Sequence, residues 1–200
     1  TIIHPAAPVA PALFAFAERE GRSGHDLIRA FVLGGEVECR LGAAMSPYHY
    51  ARGWHITSTC GIFGAAVGVG ALLDLDADQH VAALGSAAAQ SAGLVETLGT
   101  MAKSLSVGNA ARQGMLAALL ASDGFDGPPA PLTGERGYLK VYADAPKPAA
   151  LTSGLGVAWE IATNTYKPYP AGVVLNPVLD AALDLAGRPG FNPAAVAEVT

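Results

Sequence analysis

Charged side chains are scarce in this sequence. Of its 200 residues, 14% are Asp, Glu, Lys or Arg and 51% are hydrophobic, whereas about a quarter of the residues in an ordinary soluble domain are charged. The net charge is −5, and the sequence contains neither a basic run nor basic residues interleaved with aromatic ones. Because nucleic-acid-binding proteins usually present a basic face, we expect no nucleic-acid partner.

Cysteines and long apolar runs are scarce as well. Cys39 and Cys60 form no CxxC motif and no cluster with histidine, which argues against a disulfide framework and the common zinc motifs. The apolar runs at 60–73 and 81–95 are shorter than the roughly 20 residues that span a bilayer, and acidic residues interrupt them. We therefore expect two buried thiols in a soluble cytoplasmic protein with no membrane partner.

The spacing of apolar residues predicts a mainly helical chain. The expected helices lie at 8–20, 24–44, 57–73, 77–91 and 110–122, followed by a short helical turn near 138–142. Ser23, Asp76 and Asn109 precede three of them and are the expected N-caps. Successive helices with short polar joints predict a helical bundle up to about residue 125.

The pattern changes after Gly127, where prolines become frequent. Residues 157–163 show some of the alternation of a β-strand, and Asn176-Pro177 opens a further helix that we expect to end near residue 186. This order predicts a second, α/β domain that begins near residue 155. Because the chain does not begin with Met, we expect it to be a piece of a longer protein.

Lysine and arginine are almost missing from the middle of the chain. Between Arg52 and Arg136 the only two are Lys103 and Arg112, and Lys103 has mostly Ala, Gly, Leu and Ser as neighbours. A cation in such surroundings either reaches water along its stem or meets an anion. With a helix expected to start at Asn109, an anion beside Lys103 would also experience the positive end of that helix.

His55 is the second candidate for a site residue. It precedes Thr57 and Ser58 at an expected helix start, where hydroxyl groups either help to hold an anion beside the imidazole or only cap the helix. Lys167 lies in a stiff, extended Tyr-Lys-Pro segment and is either held at a fixed position or solvated. His4, taken alone, is an ordinary loop residue.

Other polar residues predict no site. Three histidines are expected to have exposed, polar surroundings: His25, His49 and His80. Three charged residues are expected to form a solvated or paired face: Glu36, Glu38 and Arg40. The sequence has no HExxH, no GxSxG and no carboxylates at metal spacing. The residues therefore predict a site without metal or cofactor, with histidine for proton transfer and lysine for anionic groups.

Four segments in order along the chain resemble the MmgE/PrpD family. They are His4-Pro-Ala-Ala-Pro-Val9, Gly53-Trp-His-Ile-Thr-Ser-Thr-Cys-Gly61, Gly99-Thr-Met-Ala-Lys-Ser-Leu105 with Gly108-Asn-Ala-Ala-Arg112, and Lys167-Pro-Tyr-Pro-Ala171. The resemblance implies a helical domain over 1–150, the start of a smaller α/β lid domain over 151–200, and a homodimer built on the helical part. It also implies that His4, His55, Lys103 and Lys167 line one site.

The chemistry implied by the resemblance is removal of a proton beside a carboxylate of a small di- or tricarboxylic acid. His55 is then the main acid or base with His4 as its partner, while Lys103 and Lys167 stabilise the developing charge. Thr57 and Ser104 are the further substrate-binding candidates.

Several reactions fit this chemistry. We expect a lyase like the 2-methylcitrate dehydratases, with decarboxylation or epimerisation of an iminodisuccinate-like acid as alternatives. The segments around His55 and Lys103 look more like the epimerase branch, and Ser106 stands where relatives often have histidine. The competing class is a non-catalytic helical dimerisation module.

Overall fold

The computed structural model describes residues 2–198, and these form helices and turns without a β-strand. The helices are α1 (Ala6–Glu20), α2 (Gly24–Met45), α3 (Tyr48–Ala51), α4 (Ile56–Leu72), α5 (Ala77–Gln90), α6 (Met101–Ser122), α7 (Tyr138–Tyr142) and α8 (Asn176–Ala186). Short 3₁₀ turns lie at Val95–Thr97, Pro148–Leu151, Glu160–Thr163, Val173–Leu175 and Pro193–Ala195. The prediction of a mainly helical chain is confirmed.

Local capping explains where two of the long helices begin. The Ser23 hydroxyl accepts a hydrogen bond from the Asp26 backbone N–H, and Asp76 caps α5 through Gln79 in the same way. Gly21, with a φ of 64°, ends α1 in the left-handed conformation that glycine adopts without strain. These caps confirm the sequence predictions because capping depends on residues three or four positions apart.

The chain divides into two units, Thr1–Thr163 and Asn164–Thr200. In the first unit, α4 contacts α1, α2, α5 and α6. Its small residues permit this, because a Cβ on Gly64 would lie 2.7 Å from the carbonyl oxygen of Gly34 on α2. On α6, a Cβ on Gly114 would lie 2.6 Å from Cβ of Ala65. α4 is therefore the packed centre of the unit.

One predicted helix start is wrong. α6 does not begin after Asn109 but at Met101, with Thr100 in the N-cap position, and it continues through Gly108 to Ser122. The Asn109 side-chain oxygen accepts a hydrogen bond from Arg112 at 2.7 Å and does not cap the helix. Lys103 therefore lies in the first turn of α6, not in a segment that precedes the helix.

The expected α/β character after residue 155 is also wrong for the described residues. The Arg40 guanidinium donates to the Ala158 carbonyl at 2.7 Å, and Glu36 accepts from the Ile161 backbone N–H at 2.9 Å. Side chains of α2 thus bind the backbone groups that a neighbouring strand would otherwise bind. Residues Glu160–Thr163 form a 3₁₀ turn instead.

The face of α2 that carries charged residues is buried. Glu36 and Arg40 pair at 2.6 Å with both side chains about 5% exposed or less, so the expectation of a paired face holds and that of a solvated face does not. Glu38 is fully buried, and its carboxyl oxygens have no hydrogen-bond partner among the described residues. Burial raises the pKa of Glu38 well above its ordinary value, which favours the uncharged form of this side chain.

The second unit holds α8, which starts at Asn176-Pro177 as predicted and ends at Ala186. No residue of α8 is buried, and apolar side chains such as Val178 and Leu183 are exposed. Within residues 2–198, every helix is too short or too polar to span a bilayer. The predicted boundary between 150 and 151 stays a prediction for the complete protein.

Candidate functional site

The backbone of His55 is held between two loops at the start of α4. His55 occupies the N-cap position, and its backbone N–H donates to the Gly93 carbonyl at 3.0 Å. The neighbouring residues Trp54 and Leu94 form an isolated antiparallel bridge. These contacts leave the side chain of His55 only 3% exposed.

The His55 imidazole belongs to a row of polar contacts that reaches α6. Its Nδ1 lies 2.7 Å from the Ser58 hydroxyl, which lies 2.9 Å from the hydroxyl of Ser106. Ser106 in turn donates to the Lys103 carbonyl at 2.8 Å. The row joins the first turn of α4 to the first two turns of α6.

His4 meets α4 one residue before Ser58. Its Nδ1 lies 3.1 Å from the Thr57 hydroxyl, and Thr57 is buried. Neither Thr57 nor Ser58 caps α4, because both hydroxyls contact histidine side chains. The alternative in which these hydroxyls serve only as helix caps is therefore wrong.

Lys103 is a half-buried cation in the first turn of α6. The N-terminal end of a helix carries partial positive charge, so a lysine in this turn costs the helix stability. The first turn of α6 also lacks an acidic residue that would offset the lysine charge. An anion bound at this place would be favoured by both positive charges.

Burial and charge keep His55 neutral. Burial is the largest influence that lowers the pKa of His55, and the positive charges of Lys103 and His4 lower it further. An imidazole with a pKa below its usual value of about 6.5 is mostly uncharged at neutral pH and can accept a proton. Contacts link these residues through hydroxyl groups, since His4 contacts Thr57 and His55 is joined through Ser58 and Ser106 to the Lys103 carbonyl.

A second buried histidine, His49, contacts the first turn of α4. His49 Nε2 lies 2.6 Å from the Thr59 hydroxyl, and its Nδ1 lies 2.9 Å from the Tyr142 carbonyl. His49 is fully buried, so the expectation that it is exposed is wrong, and burial lowers its pKa. His80 is half-buried rather than exposed, whereas His25 is exposed as predicted.

The two remaining predicted site residues are both exposed. Ser104 is exposed on α6, one residue after Lys103. Lys167 belongs to the second unit, where it is exposed and its Nζ donates to the Ala171 carbonyl at 3.0 Å. Among the residues that the structure describes, no three His, Cys, Asp or Glu side chains are grouped so that they could hold a metal ion.

Ser58 and Ser106 are partners of His55 that the sequence did not reveal. The spacing of Ser58, three residues after His55 across a helix start, is a local signal for such a contact. Ser106 could not be found this way, because it is 48 residues away from Ser58 in the sequence. Only the packing of α4 against α6 brings the two hydroxyls together.

Comparisons with known proteins show which proteins this chain is similar to. The MmgE/PrpD N-terminal domain matches residues 1–151. The cis-aconitate decarboxylase of Aspergillus terreus is 36% identical over 203 residues, covering 93% of this chain and 41% of that protein. The cis-aconitate decarboxylase of Homo sapiens is 33% identical over 186 residues, covering 90% of this chain and 38% of that protein.

The chain spans about two fifths of the length of these curated relatives. The matched domain nevertheless covers most of the chain, including His4, His55 and Lys103. The chain therefore belongs to the MmgE/PrpD family.

Proposed function

We propose that the complete protein is a lyase that acts on a small tricarboxylic acid, with decarboxylation of a cis-aconitate-like substrate as its reaction. The observation that carries this proposal is a buried imidazole, His55, whose pKa is lowered by burial and by the positive charges of Lys103 and His4. The relatives named cis-aconitate decarboxylase support the choice of substrate class.

Decarboxylation requires a group that delivers a proton and a cation that stabilises the developing negative charge. When the carbon–carbon bond to the departing carboxylate breaks, its electron pair stays on the substrate, CO₂ leaves, and a proton must be delivered to the carbon skeleton. The developing negative charge needs a fixed cation nearby, and Lys103 supplies one. His55 is the proton-transfer group and His4 its partner, because imidazoles exchange protons near neutral pH.

Substrate binding follows from the same charges. A tricarboxylate brings three negative charges, and Lys103 at the start of α6 offers an ammonium group beside a helix N-terminus. Thr57 and Ser104 offer hydroxyl groups at the starts of α4 and α6. Lys167 is proposed as a second carboxylate ligand, as the family resemblance implies.

Decarboxylation is placed ahead of the dehydration that the sequence analysis favoured. The two reactions need the same kinds of groups, a proton carrier and cations, and differ in the bond that breaks. The relatives are cis-aconitate decarboxylases, and decarboxylation is one of the alternatives that the sequence left open. The homodimer implied by the resemblance is part of the same proposal.

The test is a substrate panel with the full-length protein in D₂O. cis-Aconitate, 2-methylcitrate and an iminodisuccinate-like acid are incubated separately, and CO₂ release, alkene formation and deuterium uptake are followed by NMR. We expect CO₂ and one incorporated deuterium from cis-aconitate. Turnover of another acid would replace the reaction, while no turnover of any acid by folded protein would favour the non-catalytic module.

A further inference from the structure

The hydrogen bonds in the row of contacts from His55 to Lys103 determine which atoms of the row carry hydrogen. Three hydrogen-bond distances follow one another: 2.7 Å from His55 Nδ1 to Ser58, 2.9 Å from Ser58 to Ser106, and 2.8 Å from Ser106 to the Lys103 carbonyl. Each hydroxyl has a single proton to donate, whereas a carbonyl oxygen can only accept. The direction of each bond therefore constrains the next.

The bond to the Lys103 carbonyl has a fixed direction. Because the Lys103 carbonyl accepts, the proton of Ser106 is used in that bond. Ser106 then has no proton for Ser58, so Ser58 must donate to Ser106. With its own proton used, Ser58 can only accept from the imidazole, and so the Nδ1 of His55 must carry a hydrogen.

We propose that Ser58 and Ser106 are positioning residues that hold His55 in the tautomer with hydrogen on Nδ1, which leaves Nε2 as the nitrogen that exchanges the catalytic proton. The tautomer follows from the contacts alone. That Nε2 exchanges a proton with the substrate rests on the proposed function. Nε2 takes up a proton to give the imidazolium and returns it, while the Nδ1–H bond to Ser58 is kept throughout.

The surroundings of Ser58 protect this arrangement. Ser58 is fully buried, and the backbone of Gly93 lies so close that a Cβ there would be 2.7 Å from the Ser58 Cβ. Water therefore has no space beside Ser58 to offer its hydroxyl another partner. Ser106 is half-buried on α6 and is the member of the row that can be changed with the least disturbance of packing.

The tautomer can be read directly by NMR. In full-length protein labelled with ¹⁵N-histidine, the ring nitrogens of His55 are assigned by comparison with a His55→Gln variant, and no substrate is needed. We expect a protonated Nδ1 and an unprotonated Nε2 at neutral pH. A wild-type spectrum with the hydrogen on Nε2 would overturn the proposal.

Variants of Ser106 test its part in the row. In Ser106→Ala the Ser58 proton is free to turn toward His55, so we expect a mixture of tautomers and a kcat roughly two- to tenfold lower, the size of one net hydrogen bond, with KM little changed. Ser106→Thr keeps the hydroxyl and is expected to restore the single tautomer. Ser122→Ala, at the exposed far end of α6, is the matched control.

The outcomes separate this proposal from the proposed function. An unchanged tautomer in Ser106→Ala would contradict the role of Ser106, whatever the enzyme turns over. If the tautomers behave as expected but no acid in the substrate panel reacts, the proposed function fails and the hydrogen-bond row stands.

Discussion

The first turns of α4 and α6 both contribute to the candidate site, but they are built in opposite ways. At the start of α4, the residues from His55 to Thr59 are buried and their polar side chains are hydrogen-bonded. At the start of α6, Met101 is 91% exposed and Lys103 is half-buried. The difference teaches that folding fixes the His55 imidazole, whereas the Lys103 side chain stays partly open to solvent.

The largest expected effect comes from a substitution of His55 at the buried start of α4. His55→Gln keeps a polar side chain but removes the imidazole, so we expect kcat of the full-length protein to fall by about 10² to 10⁴, the usual contribution of a general acid or base. Turnover of cis-aconitate measures this effect. The thermal midpoint serves as the control, and a fall in kcat without any change in it would assign the loss to chemistry. Unchanged turnover would remove His55 from the site.

A smaller effect is expected from a substitution of Lys103 in the exposed first turn of α6. Lys103→Met removes the ammonium group but keeps an unbranched side chain, and losing a hydrogen bond to a charged group costs about 1.5 to 3 kcal/mol. We therefore expect kcat/KM to fall roughly 10- to 100-fold. Lys140→Met, which removes an exposed lysine from α7, is the charge-matched control. Equal losses in both variants would mean that only the overall charge matters.

The contrast between packed and open parts of α6 can be tested with two glycines. At Gly114 a Cβ would lie 2.6 Å from Cβ of Ala65 on α4, whereas at Gly108 nothing lies within 4 Å. Gly114→Ala should destabilise the protein by about 1 to 3 kcal/mol, as overpacking does. Gly108→Ala should stabilise it by about 0.5 to 1 kcal/mol through helix propensity. Urea unfolding curves give both values, and shifts of the same sign would contradict the packing of α6 on α4.

The smallest expected effect is electrostatic coupling between the two turns. Burial is the largest influence that lowers the pKa of His55, and the Lys103 charge lowers it further, so Lys103→Met should raise that pKa. An NMR titration of the His55 ring measures it. The neutral form of His55 is lost as pH falls through this pKa, so the variant should lose it at a higher pH than the wild type. Lys140→Met should leave the midpoint unchanged, and a lowered midpoint in Lys103→Met would contradict the coupling.

The parts of the fold that depend on near neighbours could be predicted from the sequence. Ser23 and Asp76 cap their helices as expected because the partners of a cap lie three residues away. Asn109 shows the limit of such signals, since the same side chain can bond to Arg112 within a continuous helix. The strand-like alternation at 157–163 did not lead to a strand, and Glu36 and Arg40, more than 100 residues away, bind the backbone there.

The site divides along the same line. By itself, the sequence determined which chemical groups are present, that the chain is mainly helical, and the family to which the segments around His4, His55 and Lys103 belong. Only the tertiary structure decided that Glu38 and His49 are buried. Packing also decided that Ser58 meets Ser106. The physical reason is that burial and hydroxyl contacts between helices depend on which residues of the other helices lie against α4, and those residues are far away in the sequence.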